Sequence, residues 1–349
     1  MFGFGAILAV ADRAHLETVR PLGTGTLESI SGTACPLGTY KQMDSPIDLF
    51  KTPAGQAKYF ATYETALRLW SVPYETRLLT TPYGKTHVIS CGPEDAYPLV
   101  LLHAGQASST MWFPNIAQIS DKFRVHALDT LGEPGRSIPS RPNATRQDLA
   151  VWLEGVIEAL GVSRADVMGL SRGAWLALNL ALHAPATVDR IVLLSPAAVF
   201  VQLNSFFSAV VQAVMRVPSR FVARLALNSW VTRGFVVNDL FAEQFTTGLQ
   251  NWNWSVNRSG YSGIMPCTFS DEELRQVQQP VLLLIGDQDR LNPPKALVRA
   301  RLTIPHLEGE IIRHAGHFLN MEHPGQVDAR VLRFLAGEKL VHDCEPQAA

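Results

Sequence analysis

Charge is scarce in this chain: 17% of its 349 residues are Asp, Glu, Lys or Arg, and the formal net charge is −1. With no excess of either sign, nothing draws the protein to a polyanion, so neither nucleic acid nor an anionic membrane surface is expected as a partner. Cysteine is scarce too. Cys35, Cys91, Cys267 and Cys344 stand far apart, with no CxxC pair and no Cys/His cluster at zinc spacing. They are expected to be reduced or buried thiols, and neither a metal nor another cofactor is implied. The sequence also lacks any continuous apolar run near the ~18 residues that a membrane span requires. Its 25 Gly and 22 Pro follow no period, which excludes collagen-like and repeat architectures. What the chain has in quantity is apolar material, 47% of residues, enough for a large buried core. A small-molecule substrate fits that balance; the oligomeric state is not legible.

Residues 2–11 are apolar, and Ala9-Val10-Ala11 resembles a small-residue cleavage site, but no Lys or Arg precedes it. A cytoplasmic protein is expected, with secretion as the alternative if residues 1–11 act as a signal. Residues 1–46 show weak periodicity and are expected to be an N-terminal extension outside the main fold.

From residue 47 the pattern becomes regular. A helix is predicted over 55–70, stopped by Pro73, and two strands over 76–80 and 86–90 around a Pro-Tyr-Gly turn. Short apolar runs at 98–103, 125–129, 165–169, 191–195 and 280–286 then alternate with helical patterns at 147–160 and 172–183. That alternation predicts right-handed βαβ units, hence an α/β fold with a mostly parallel central sheet flanked by helices, over 47–199 and 270–349. In such sheets ligands bind beyond the carboxyl ends of the strands. The alternation fails over 200–269, where the pattern is helical and aromatic. Residues 197–269 hold five Arg, one Asp and one Glu. So apolar an insertion is expected to be a helical lid over the sheet's carboxyl edge. Within it Arg216, Arg220 and Arg224 recur at helical spacing, as a solvated face would, although Pro218 breaks continuity. Ser270-Asp271-Glu272-Glu273 reads as a capping box leading back to the sheet.

Gly169-Leu170-Ser171-Arg172-Gly173 follows one apolar run and opens a helical pattern, the strand–turn–helix setting of a nucleophile elbow. Small neighbours permit the sharp turn, which would hold the Ser171 hydroxyl outward at a helix N-terminus. A serine hydroxyl needs a base. His317, preceded by Gly316 and placed after a predicted final strand at 310–313, is the candidate; His314, nearer the strand, is expected to pack or cap there. The acid that would orient the base lies in Gly286-Asp287-Gln288-Asp289, after the 280–286 run. Backbone amides of Gly105 and Arg172 are the candidate oxyanion hole. His103 is expected to be a structural hydrogen-bonder at the strand end. Candidate pocket residues are Gln106 and the lid tryptophans Trp230, Trp252 and Trp254.

Taken together, LLHAGQASS, Asp129-Thr130-Leu131-Gly132 with Gly135-Arg136-Ser137, GLSRG, LLLIGDQD and HAGHFLNMEHP resemble the α/β-hydrolase superfamily, and within it the single-domain serine carboxylesterases, over 47–337. The resemblance implies an α/β-hydrolase fold with an inserted helical lid and a triad in the order Ser171, Asp289, His317. Asp289 is preferred to Asp287 because the family spacing is Gly, two residues, then Asp. It implies a serine hydrolase that cleaves carboxylic esters of small, mainly apolar substrates through an acyl-serine intermediate. The same residues would serve lactone or amide hydrolysis, carbon–carbon cleavage or acyl transfer. A ligand receptor retaining a hydrolase pocket is the alternative from another class. Epoxide hydrolases and dehalogenases, by contrast, place Asp where Ser171 stands. This chain departs from the family pattern at Ala104, at Ala174, at the large charged Arg172, and in the Gly132-Glu133-Pro134-Gly135 loop, which is one residue longer.

Overall fold

The apolar runs fold as the interior of one sheet in the computed structural model, which describes residues 48–203, 219–255 and 267–338. Its strands are β1 (Glu75–Thr81), β2 (Gly84–Cys91), β3 (Pro98–Leu102), β4 (Arg124–Leu128), β5 (Ile138–Pro139), β6 (Ala165–Leu170), β7 (Val188–Leu194), β8 (Val281–Gly286) and β9 (Leu307–Ile312). Their order is β1-β2-β4-β3-β6-β7-β8-β9, with β5 paired to β2. The β1–β2 hairpin and the β2–β4 pair are antiparallel. From β4 to β9 every pair is parallel. β6 and β8 are buried at every position, as strands covered on both faces must be.

Side chains alternate across the sheet. Leu99, Leu101, Met168, Leu282 and Leu284 join one core cluster. Val100, Leu102, Val167, Leu283 and Ile285 join the other. Helices α1 (Pro53–Leu67), α4 (Arg220–Trp230), α5 (Asp239–Asn251) and α8 (Pro324–Leu335) contribute to the first cluster. Helices α2 (Arg146–Ala159), α3 (Arg172–His183), α6 (Asp271–Arg275) and α7 (Pro294–Thr303) contribute to the second. α6 begins at the predicted capping box: Glu273 N–H donates to Ser270 Oγ at 3.2 Å and Ser270 N–H to Glu273 Oε2 at 2.8 Å.

The strand order reverses at β3, which lies between β4 and β6. The loops after β3, β4 and β6 therefore open side by side, the crevice where open α/β sheets bind ligands. α4 and α5 stand in the interruption between β7 and α6 and touch this edge. Gln244 of α5 donates to Ser108 Oγ at 2.9 Å and accepts from Thr110 Oγ1 at 2.6 Å. The Trp230 carbonyl, ending α4, accepts the His317 N–H at 2.6 Å. Arg220 and Arg224 pair with Glu243 and Asp239, each at 2.6 Å, on the solvated side. The expected extension 1–46, Arg216, Pro218 and the stretches 204–218 and 256–266 of the expected lid lie outside the described residues. Cys91 is a buried free thiol; Cys35 and Cys344 lie outside the described residues. Among the described residues no helix is long and apolar enough to cross a membrane.

α8 carries a buried acid. Asp328 accepts one hydrogen bond, from Asn115 Nδ2 at 2.8 Å, and burial pushes its pKa up to about 7. A folded pKa above the unfolded one adds stability below the unfolded value, and that stability is lost as pH rises through the folded value. Asp328→Asn, neutral at all pH, is therefore expected to leave the melting temperature unchanged near pH 4 and to raise it by about 2–4 °C or more at pH 8. Calorimetry at the two pH values checks this; equal shifts at both would contradict it.

Candidate active site

Ser171 ends the turn between β6 and α3 with φ 56° and ψ −112°, a conformation a non-glycine residue adopts only under constraint. The constraint is visible. Ser171 N–H donates to Leu194 O at 2.9 Å, and its carbonyl accepts from Ala197 N–H at 3.2 Å. The flanking glycines allow the turn to close on its neighbours. A Cβ on Gly169 would stand 2.2 Å from the Gly173 carbonyl, and one on Gly173 would stand 2.0 Å from the Leu102 carbonyl of β3. Gly173→Ala must therefore separate α3 from β3, at about 3 kcal/mol or more, the upper end for overpacking. A lowered melting temperature together with lost turnover is the expected result; an unchanged melting curve would show that the close approach is dispensable.

His317 sits in the loop after β9, buried, with Nδ1 at 3.1 and 3.2 Å from the two Asp289 oxygens. An ionised carboxylate only accepts, so Nδ1 carries the proton and the neutral ring keeps its lone pair on Nε2. Glu322 ties this loop to the end of α4, accepting from Gly316 N–H at 2.9 Å and Thr232 N–H at 2.7 Å. Asp289, in the loop after β8, also accepts from Leu291 N–H at 2.9 Å and Asn292 Nδ2 at 2.8 Å. Burial alone would raise its pKa, but the adjoining His317 and these hydrogen bonds outweigh it and hold the carboxyl below its ordinary value. Asp287 is exposed and accepts the Ala315 N–H at 3.1 Å, shaping the turn. His314 is exposed with φ 57°; it does not pack. Among the described residues no hydrogen bond closes Ser171 Oγ onto His317, and such contacts are often long before substrate binds.

The loop after β3 is nearly spent of donors. Ala104 N–H reaches Met111 Sδ at 3.2 Å, Gln106 N–H reaches Glu133 Oε2 at 2.8 Å, and Ala107 N–H reaches Ala104 O at 3.2 Å. Among the described residues the Gly105 N–H has no acceptor. Gly105 packs against Arg172, whose Cδ and Cβ would lie 3.5 and 3.7 Å from a Cβ placed there. His103 is buried, its pKa pushed down by desolvation, and its Nε2 accepts from Thr130 N–H at 2.9 Å. It braces the strand ends. Beneath them Asp129 gathers hydrogen bonds from Ser109 N–H, Ser109 Oγ and Arg136 N–H at 2.9, 2.6 and 2.9 Å. Sequence reasoning missed this buried hub.

The four pocket candidates separate. Gln106 is in the loop just described, and Trp230 packs on Phe318 and Phe245 with ring centroids 5.5 and 5.9 Å apart, beside His317. Trp252 is instead fully buried against Phe50, centroids 5.0 Å apart, and serves the core. Trp254 Nε1 is turned onto Leu249 O at 3.1 Å, so it too belongs to the packing of α5.

Residues 97–324 match the alpha/beta hydrolase fold family. The chain belongs to that family. Among α/β hydrolases it is 38% identical to an uncharacterised carboxylesterase of Bacillus subtilis (strain 168), over 80% of this chain and 93% of that protein. It is 36% identical to the carboxylesterase YbfK of the same organism, over 80% and 94%. The crystal structure of naproxen esterase from Bacillus subtilis superposes with a TM-score of 0.76 at 37% identity, covering 82% of this chain and 99% of that one.

Proposed function

We propose that this α/β hydrolase cleaves carboxylic esters of small, mainly apolar substrates through an acyl-enzyme on Ser171. The observation that carries the reading is the buried Asp289–His317 pair, which leaves Nε2 as a base at the sheet edge where the strained turn presents Ser171. His317 takes the Ser171 proton as Oγ attacks the ester carbonyl. The amides of Gly105 and Arg172 hold the oxyanion of the tetrahedral intermediate. The imidazolium, stabilised by Asp289, protonates the departing alcohol. Water activated by the same base then releases the acid. Ester chemistry rather than carbon–carbon cleavage is favoured because the carboxylesterase relatives are 38% and 36% identical, against 26% for the 2-hydroxymuconate semialdehyde hydrolase of Pseudomonas putida.

The segment 200–269 acts as the lid, with Trp230 and Gln106 lining the pocket beneath it. An apolar pocket rewards acyl length, because each buried methylene contributes ~0.8 kcal/mol, nearly fourfold in an equilibrium constant. For p-nitrophenyl esters, kcat/KM is expected to climb from acetate towards hexanoate until the pocket is full. Flat efficiency along the series, or preference for a charged acyl group such as hemisuccinate, would contradict the reading.

A further inference from the structure

The Glu133 carboxylate reaches two segments at once. It stands in the loop after β4, 8% exposed. Its Oε2 accepts the Gln106 N–H at 2.8 Å, and its Oε1 lies 3.2 Å from Arg172 Nε. Gln106 lies in the loop after β3 and Arg172 opens α3 after β6, and each belongs to a segment that carries a proposed oxyanion donor: the Gly105 amide precedes Gln106, and the Arg172 amide is on Arg172 itself.

Gln106 has φ 66°, the left-handed region that a glutamine does not choose freely. Strain of that kind persists only where surroundings over-determine it. The hydrogen bond from Gln106 N–H to Glu133 is such a determinant. If the peptide at Gln106 relaxed, the preceding Gly105 amide would turn with it. The pairing with Arg172 has a second effect. A carboxylate this close to a developing oxyanion would oppose it, and the adjacent guanidinium offsets that charge.

We infer that Glu133 is a positioning residue for the oxyanion hole: by holding Gln106 and Arg172 on its two oxygens, it fixes the spacing between the Gly105 and Arg172 amides. This rests on the ester-hydrolase reading above. Glu133 touches no substrate in this account. Its contribution is expressed where negative charge develops, in the transition state, rather than in substrate binding.

The test compares wild type with Glu133→Gln and Glu133→Ala on one p-nitrophenyl ester. Affinity for an alkyl trifluoromethyl ketone, which adds to the serine as a tetrahedral anion, is measured alongside. Losing one oxyanion donor typically lowers kcat by about 10²–10³-fold, so Glu133→Ala is expected to lose about 10²-fold in kcat with KM within about twofold. Glu133→Gln, which keeps an acceptor for the Gln106 N–H, is expected to lose about tenfold. Trifluoromethyl ketone affinity should fall by the same factor as kcat/KM in each variant. Glu133→Ala strands a buried cation; if it does not fold, the isosteric Glu133→Gln decides alone. Wild-type rates and inhibitor affinity in a folded variant would overturn the inference. So would a loss carried by KM, or a loss of kcat without the matching loss of inhibitor affinity, which a merely structural role would give. Fluorophosphonate labelling of wild-type Ser171 separates the two levels. Without labelling the ester-hydrolase reading itself fails; with labelling, only the role of Glu133 is at stake.

Discussion

Ser171→Ala is expected to lower kcat on an apolar ester by about 10⁴-fold or more, because no other group supplies the nucleophile once Oγ is gone. The fold should be indifferent. Ser171 Oγ holds no other element in place, since the bonds that fix the turn run through its backbone, to Leu194 O and from Ala197 N–H. A melting temperature within about 2 °C of wild type, under 1 kcal/mol, should accompany the loss. Turnover close to wild type in a folded Ser171→Ala protein would end the serine-hydrolase account.

Asp289→Asn should cost a comparable factor, about 10⁴ in kcat, by a different route. An asparagine can turn an N–H toward His317 Nδ1, which then becomes an acceptor, and the proton moves to Nε2. The base then faces Ser171 with its lone pair on the wrong nitrogen. The charge that stabilises the imidazolium is lost as well. Asp287→Asn keeps a carbonyl oxygen for the Ala315 N–H and should stay within about threefold of wild type, the scale of a weak surface interaction. A reversed outcome, with Asp287→Asn crippled and Asp289→Asn mild, would reassign the acid. Stability gives an independent reading of the same group. The folded pKa of Asp289 is lowered, so its contribution is present above the unfolded carboxyl pKa and lost as pH falls through the folded value. Asp289→Asn should therefore flatten the acid side of the stability profile.

Legibility in the sequence followed the strength of the local pattern. β3 and β8 are nearly continuous Leu, Val and Ile runs buried on both faces, and such runs state their own structure. The elbow could be read because Gly169 and Gly173 are demanded by backbone contacts that tolerate no side chain. β5 could not. It spans only Ile138–Pro139, too short for any period to register. β9 begins at Leu307, three residues before the predicted start, because Glu308 and Glu310 break its apolar run and only pairing with β8 defines it. The tryptophans of the 200–269 insertion illustrate the opposite error. Composition marks Trp252 as aromatic, but whether it faces a pocket or the core depends on Phe50, a residue some two hundred positions away. Glu133 and Arg172 were each visible as departures from the family pattern, one in a lengthened loop and one beside the nucleophile. That they are partners follows only from the order β4-β3-β6, which sets their loops on one edge.

The central claim is that Ser171 is acylated during turnover, and it is tested most directly by stopping the reaction of wild-type enzyme with p-nitrophenyl butyrate in acid and mapping the peptides by mass. A butyryl group on the peptide containing Ser171, absent in Ser171→Ala and accumulating in step with the initial burst of nitrophenol, is the predicted result. Steady turnover of the ester with no acyl group at Ser171, or with the acyl group on another residue, would contradict it.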